Sequence, residues 1–276
     1  MYRPFGNPGL KTDAEDLRFA VLGSGSAANA YVFEYGQFSF LIDNGYSLAE
    51  FRRRMASVNF DEKKLAFIFL THLHSDHFKG VESLSRTLNI PVVTHESMPV
   101  ETQLKQSGLH RLDIQPGKDY QFNPLTFQAF DTSHDAPHSI GFHFTLADTV
   151  FTLITDTGCL TEIMEEKALQ SDYLFLESNY SPEMLHQGPY PQFLKKRILS
   201  DQGHLSNLDA AAFMSRLAHH DKSRLKKIFL CHLSEKNNTV DKVKEELGRI
   251  YNGEIPYVIC PRNDSLSYGN LVQEGD

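Results

Sequence analysis

The chain has 276 residues, enough for one large domain or two small ones with an ample core. It is 41% hydrophobic and 22% charged, the balance of an ordinary globular protein, and no apolar run approaches the ~18 residues of a membrane span. A formal charge of −8 excludes a generally basic protein that coats nucleic acid, though not an enzyme that gathers positive charge locally.

The opening MYRPFGNPGLKTDAEDL is polar, rich in Gly and Pro, and lacks the apolar segment of a secretory signal. Residues 1–15 read as a flexible arm ahead of a domain over 16–276. Strands are expected at LRFAVLG (17–23), AYVFEY (30–35) and FSFLID (38–43), then a helix over 47–57 and the apolar strand LAFIFLT at 65–71. FKGVESLSRTL at 78–88 has helical spacing, and PVVTH at 91–95 reads as a strand. The stretch 112–156 is strand-rich, with LTFQAF, IGFHFTLA and TVFTLIT all of β character. Beyond it come the strand YLFLES (173–178), a helix over 207–219, the strand KIFLCH (227–232) and a helix over 240–250. With no fixed-period repeat and no linker, this is a single α/β domain.

Three cysteines, Cys159, Cys231 and Cys260, are too few and too scattered for a disulfide framework or a Cys-type zinc site. Together with the polar start they point to a reducing cytoplasm. Gly23-Ser24-Gly25-Ser26 lacks the Lys of a phosphate loop and reads as a hairpin connection, with Asn29 placed to bond its backbone.

The informative stretch is THLHSDHF, with His72, His74, Asp76 and His77 immediately after a buried-type strand. Neutral imidazole and carboxylate suit zinc and similar divalent ions. His72 and His74 point to one side of the chain, because side chains alternate, and a turn then swings Asp76 and His77 to a neighbouring point. That spacing suits two ions. One ion needs about four ligands, so others must come from elsewhere. His134, Asp156 and His232 each sit where a strand hands over to a loop, where α/β folds collect functional groups, and each taken singly also reads as an ordinary loop residue.

The HLHSDH motif with a later His, Asp and His resembles the metallo-β-lactamase superfamily, whose fold is an αββα four-layer sandwich with a two-metal site at one edge. The resemblance implies that His72, His74 and His134 hold one divalent ion, that Asp76, His77 and His232 hold the other, and that Asp156 bridges them. It implies zinc, with manganese or iron as alternatives, Asp76 as a catalytic as well as a ligating residue, and Asp43 as a buttress behind the loop. Asp156, where β-lactam-opening zinc enzymes have Cys, and His74, where flavin-linked di-iron relatives have Glu, disfavour those branches. The ~75 residues between Asp156 and His232 are too few for the inserted domain of the large nucleases.

YLFLESNY followed by GHLSNLDAAAF resembles the tRNA 3′-processing branch, which puts a leaving-group acid on His204 and its orienting carboxylate on Glu177. The phrases VLGSGSAANAYVF, SHDAPHSIGF, ESNY, KKRILSDQGHLSN and CHLSEKNN are still more similar to the WalJ (YycJ) family of bacteria, over about residues 17–250. That resemblance implies a cytoplasmic metal-dependent nuclease acting on DNA, including a 5′-to-3′ exonuclease, with no membrane partner. A thioesterase, a cyclic-nucleotide phosphodiesterase or an RNA-processing nuclease of the same fold is the alternative. His204 also reads as a packing residue beside a helix that Ser206 or Asn207 caps. Lys195, Lys196 and Arg197 could track phosphates, or simply form a solvated helix face, and the same holds for Arg52–Arg54 and for Lys222, Arg224, Lys226 and Lys227.

Overall fold

Side-chain alternation along the strands decides the layering. In FSFLI, Phe40 and Ile42 enter one apolar cluster while Leu41 enters another on the opposite face. In KIFLC, Phe229 and Cys231 join the first of these clusters, and Ile228 and Leu230 a third. Both strands are therefore covered on both faces, as nearly continuous apolar strands must be.

The computed structural model describes residues 17–102, 104 and 108–269; the expected arm over 1–15 lies outside the described residues. The first sheet is built from β1 (Leu17–Gly23), β2 (Ala30–Tyr35), β3 (Phe38–Ile42), β4 (Leu65–Phe69), β5 (Val92–His95) and β6 (Arg111–Ile114). The second takes β7 (Asp119–Phe122), β8 (Leu125–Asp131), β9 (Ile140–Leu146), β10 (Thr149–Ile154), β11 (Tyr173–Glu177), β12 (Lys227–Cys231) and β13 (Tyr257–Ile259). The last strand, β14 (Leu266–Tyr268), returns to the first sheet, giving the orders β14-β1-β2-β3-β4-β5-β6 and β13-β12-β11-β10-β9-β8-β7.

Between the sheets lies an aromatic core in which Phe19 meets Phe33, Phe151, Phe175 and Phe229 at centroid distances of 5.7, 5.9, 5.3 and 5.1 Å. Such pairs contribute about 0.5–1.5 kcal/mol each beyond their buried area. Outside the first sheet pack α1 (Leu48–Ser57) and α3 (Val81–Leu88), through Phe51, Met55, Val81 and Leu84. Outside the second pack α4 (Glu162–Leu169), α7 (Asn207–Ala218) and α8 (Val240–Ile250), through Met164, Phe213, Leu217, Val243 and Leu247. The result is the expected αββα order of layers. Among the described residues no helix is long and apolar enough to cross a membrane.

The expected continuous helix over 78–88 is instead two pieces, with the short α2 at Ser75–Phe78 ahead of α3. Gly80 marks the break: a Cβ there would fall 1.8 Å from the Tyr46 carbonyl, so the chain turns where only glycine allows so close an approach. Strands β3, β4 and β5 run parallel, as do β10, β11 and β12, so each set ends along one edge of the sandwich. Loops stitch the two edges together there: Ile140 N donates to Thr71 O at 3.0 Å, and His232 N to Ser24 Oγ at 2.7 Å.

Candidate metal centre and active-site cleft

Three of the strand-end residues leave their strands in the left-handed region: Asp43 at φ 58°, Asp156 at 56° and His232 at 57°. For a non-glycine residue this costs about 1–3 kcal/mol, and Asp and His are among the side chains that accept it best. The strain turns each side chain back toward the edge instead of onward into a loop.

Asp43 then organises the histidine loop. Its Oδ1 accepts the Thr71 N–H at 2.8 Å, and its Oδ2 accepts from the Thr71 hydroxyl and from His77 Nδ1, both at 2.7 Å. On the other side Asn29 N donates to Asp76 O at 2.7 Å, while the Asn29 side chain bridges Gly25, as expected, and lies 3.0 Å from His77 Nε2. Gly45 faces the same loop, and a Cβ there would come within 2.0 Å of Asp76 O.

Four overlapping groups of donor atoms result, the atoms of each within 4.8 Å of one another: His72, His74 and His134; Asp76, His77 and His232; His72, His77 and Asp156; and Asp156, Glu177, His204 and His232. The structure thus brings together all seven residues singled out as ligands. Their outer nitrogens are committed elsewhere. Nδ1 of His77 donates to Asp43, Nδ1 of His134 to the Gly203 carbonyl at 3.0 Å, and Nδ1 of His232 to Glu177 Oε1 at 3.0 Å. Nε2 is thus the nitrogen of each ring left to face an ion, the arrangement found behind metal-ligating histidines. His72 Nε2 and Asp156 Oδ2 are buried without a hydrogen-bond partner. An orphaned buried acceptor costs about 1–3 kcal/mol, and a divalent ion among these donors removes that penalty, so the residues fit such ions.

The electrostatics agree. Burial would lower the pKa of His77, but Asp156, Asp76 and Asp43 outweigh it and raise the imidazole well above its usual range. His232 behaves likewise: burial is overcome by Asp156 and by hydrogen bonds to Asp76 and Glu177, pushing it up to about 10. For Asp76, burial is outweighed by His77 and His232, which hold the carboxyl far below its ordinary value. The carboxylates thus make a pocket that favours positive charge. His72, facing other imidazoles, is instead pushed down, by burial first and then by His77, His134 and His74.

Beside this cluster His204 sits with Nδ1 2.7 Å from Glu177 Oε1. Glu177 is fully buried, and its Oε2 accepts Thr157 N at 2.9 Å. Burial raises its pKa, but His204 and His232 outweigh that and keep the carboxyl well below the usual range. An ionised carboxylate only accepts, so the Nδ1 proton of His204 is placed and its Nε2 is left over. Helix capping does not occupy His204, because Ser206 fills that role by accepting Asp209 N. His204, His134, Asn179, Tyr190, Arg197 and Ser234 line a cleft of about 150 Å³.

The basic run divides. Lys195, expected among the phosphate contacts, is buried, and its amine donates to the His186 carbonyl at 2.6 Å; that bond withdraws it from any phosphate. Lys196 is exposed, and Arg197 pairs with Asp135 at the cleft rim. Elsewhere Arg52 pairs with Glu62, Arg53 and Arg54 with Glu50, and Arg224 and Lys226 with Asp172. Asn179 and Asp135 join the site without a motif of their own. Asn179 Nδ2 donates to His232 O at 2.8 Å, and Asp135 Oδ1 lies 3.4 Å from His134 Nε2. The only hint of Asn179 in the sequence is its place in ESNY, two positions after Glu177.

An αββα sandwich with this cluster on its edge defines a metal-dependent hydrolase of the metallo-β-lactamase fold. The family described as Beta-lactamase superfamily domain matches residues 39–227. Exodeoxyribonuclease WalJ of Streptococcus pneumoniae is 34% identical over 228 residues, covering 80% of this chain and 83% of that protein. Exodeoxyribonuclease YycJ of Bacillus anthracis is 32% identical over 244 residues, covering 84% and 90%. The metallo-β-lactamase fold protein YhfI of Bacillus subtilis superposes with a TM-score of 0.69 over 92% of this chain and 100% of its own, at 18% identity, a likeness of fold alone. The chain belongs to the β-lactamase superfamily and, within it, to the WalJ (YycJ) family.

Proposed function

We propose that the chain is a cytoplasmic DNA exonuclease that works from 5′ ends and hydrolyses phosphodiester bonds with two divalent ions, zinc in the first instance. The observation that carries this reading is the His204–Glu177 pair set against the two groups of candidate ligands. A ligand cluster alone serves many hydrolases; a placed proton donor beside it serves a poor leaving group such as an alkoxide. The exodeoxyribonuclease names of the relatives support DNA as substrate.

In this reading His72, His74 and His134 hold one ion and Asp76, His77 and His232 the other, with Asp156 shared. Lewis acidity is what such ions supply when bound: a nucleophile at neutral pH and neutralised charge on the phosphoryl oxygens. The chain does the rest. Asp43 fixes the ring of His77, and Gly203 that of His134, so that neither can rotate away from its partners. Glu177 holds His204 by Nδ1, and Nε2 of the protonated ring passes its proton to the departing oxygen as the P–O bond breaks. General-acid transfer of this kind contributes about 10²–10⁴-fold. Lys196 and Arg197 stay as candidate phosphate contacts.

The test is digestion of 5′- and 3′-labelled duplex and single-stranded DNA with zinc or manganese, beside an Asp76→Ala control. Loss of label as mononucleotide from 5′ ends is expected. Absence of cleavage on every DNA form removes the nuclease reading.

A further inference from the structure

The wall of the cleft has an outer face of which the reading above uses only Lys196 and Arg197. It belongs to α6 (Gln192–Ile198), next along the chain after the short α5 (Pro182–Gln187); Leu194, Lys195 and Ile198 of α6 turn inward, Ile198 packing with Tyr180 and Leu185. Opposite them stands Phe193, 75% exposed, with Leu199 57% exposed just beyond the helix. Burying a phenylalanine stabilises a protein by about 1.5–3 kcal/mol, and this one forgoes that.

Its neighbours give the exposure a meaning. At about 100° per residue, Lys196 and Arg197 flank Phe193 by roughly 60° on one side and 40° on the other. Lys196 makes no ion pair among the described residues, and Arg197 lines the same cleft as His204. In a chain of net charge −8 this is an exposed aromatic ring flanked by Lys196 and by the Asp135-paired Arg197, on the helix whose Leu194, Arg197 and Ile198 wall the cleft. A flat π-face between cations suits a stacked base with its phosphates, and suits an apolar protein partner poorly.

We propose that Phe193 is the stacking platform for an unpaired base of the DNA strand entering the cleft, with Lys196 and Arg197 bracing the adjoining phosphates. This rests on the nuclease reading and adds its substrate segment: a single-stranded end, gripped without regard to sequence. Base–aromatic stacking makes Phe193→Ala weaken strand binding by about 5- to 150-fold.

The experiment measures fluorescence anisotropy of a short labelled phosphorothioate strand with the zinc-loaded full chain, using Phe193→Ala, Phe193→Leu and Phe193→Tyr. Tyrosine is expected to restore binding and leucine not, in pyrimidine and purine strands alike, with KM for DNA rising more than kcat falls. The platform is overturned if alanine binds within twofold of the parent, if leucine serves as well as tyrosine, or if Phe193→Ala merely dissociates a dimer in sedimentation. Should the parent cut no DNA yet bind strands through Phe193, the nuclease reading falls while the platform stands; cleavage with a neutral Phe193→Ala sinks the platform alone.

Discussion

Nδ1 of His204 lies 2.7 Å from Oε1 of Glu177, and the same oxygen stands 3.0 Å from Nδ1 of His232. One buried carboxylate therefore sets the tautomer of both the candidate proton donor and a candidate ligand. The donor and the metal centre share a foundation, which makes their separate contributions measurable only by changing the rings themselves.

Replacing His204 with Ala removes the donor and leaves Glu177 bonded to His232, Thr157 and Leu205. The expected result is a kcat lower by about 10²–10⁴-fold with the metal content of the parent. Turnover on DNA and elemental analysis of the same preparation check it. Full turnover with both ions retained would remove His204 from the chemistry.

Asp43→Asn isolates the buttress. Asn accepts the left-handed backbone at φ 58° and keeps the volume, but it offers one acceptor oxygen where Asp43 bonds Thr71 and His77 with two. Ion affinity at the Asp76, His77 and His232 group is expected to fall about 10–100-fold, read by competition with a chromogenic chelator. Unchanged affinity would mean that His77 needs no orienting partner.

Chelation tests the centre as a structural element. The native fold binds the ions and the unfolded chain binds them weakly, so free ion at about 100 times Kd adds roughly 2.7 kcal/mol per site. A thermal midpoint lower by several degrees after chelation, restored by zinc, is the expected outcome in calorimetry. Equal midpoints would contradict the proposed ligand sets.

His143, away from the centre, supplies a pH dependence. Burial first, and then Lys167, push its imidazole from 6.5 down to about 4. Between those values the unfolded chain takes up the proton and the folded chain does not, so this residue's contribution is whole above pH 6.5 and fades as pH falls toward 4. Denaturant titrations of His143→Gln and the parent across that window are expected to converge as pH falls. Parallel curves would show that His143 titrates normally.

The fold's main strands were legible because each alternates cleanly or is apolar throughout, from LRFAVLG to KIFLC. Most of the shortest elements were not: β6, β7, β13 and β14 span only three or four residues, too few for a period to show, while the equally short β5 stood out through its β-branched VVT. The helix over 78–88 misled because its spacing is helical on both sides of Gly80, and the clash with Tyr46 that divides it involves a residue far away in sequence. Lys195 misled because its side chain is buried with its amine on the His186 carbonyl, a partner that a run of three basic residues does not reveal.

What the sequence determined by itself was chemical kind. Four donors in six positions, further donors at strand ends and the phrase around His204 state which atoms are available and in what order. The tertiary structure decided which nitrogen of each ring is free, which lysine is spent on a carbonyl, and that Phe193 stands outward beside the cleft. Those outcomes depend on partners dozens of residues apart, such as Asp43 with His77, Gly203 with His134 and Glu177 with His204. Local pattern cannot encode them, because a hydrogen bond's direction is settled only when packing has brought both ends together.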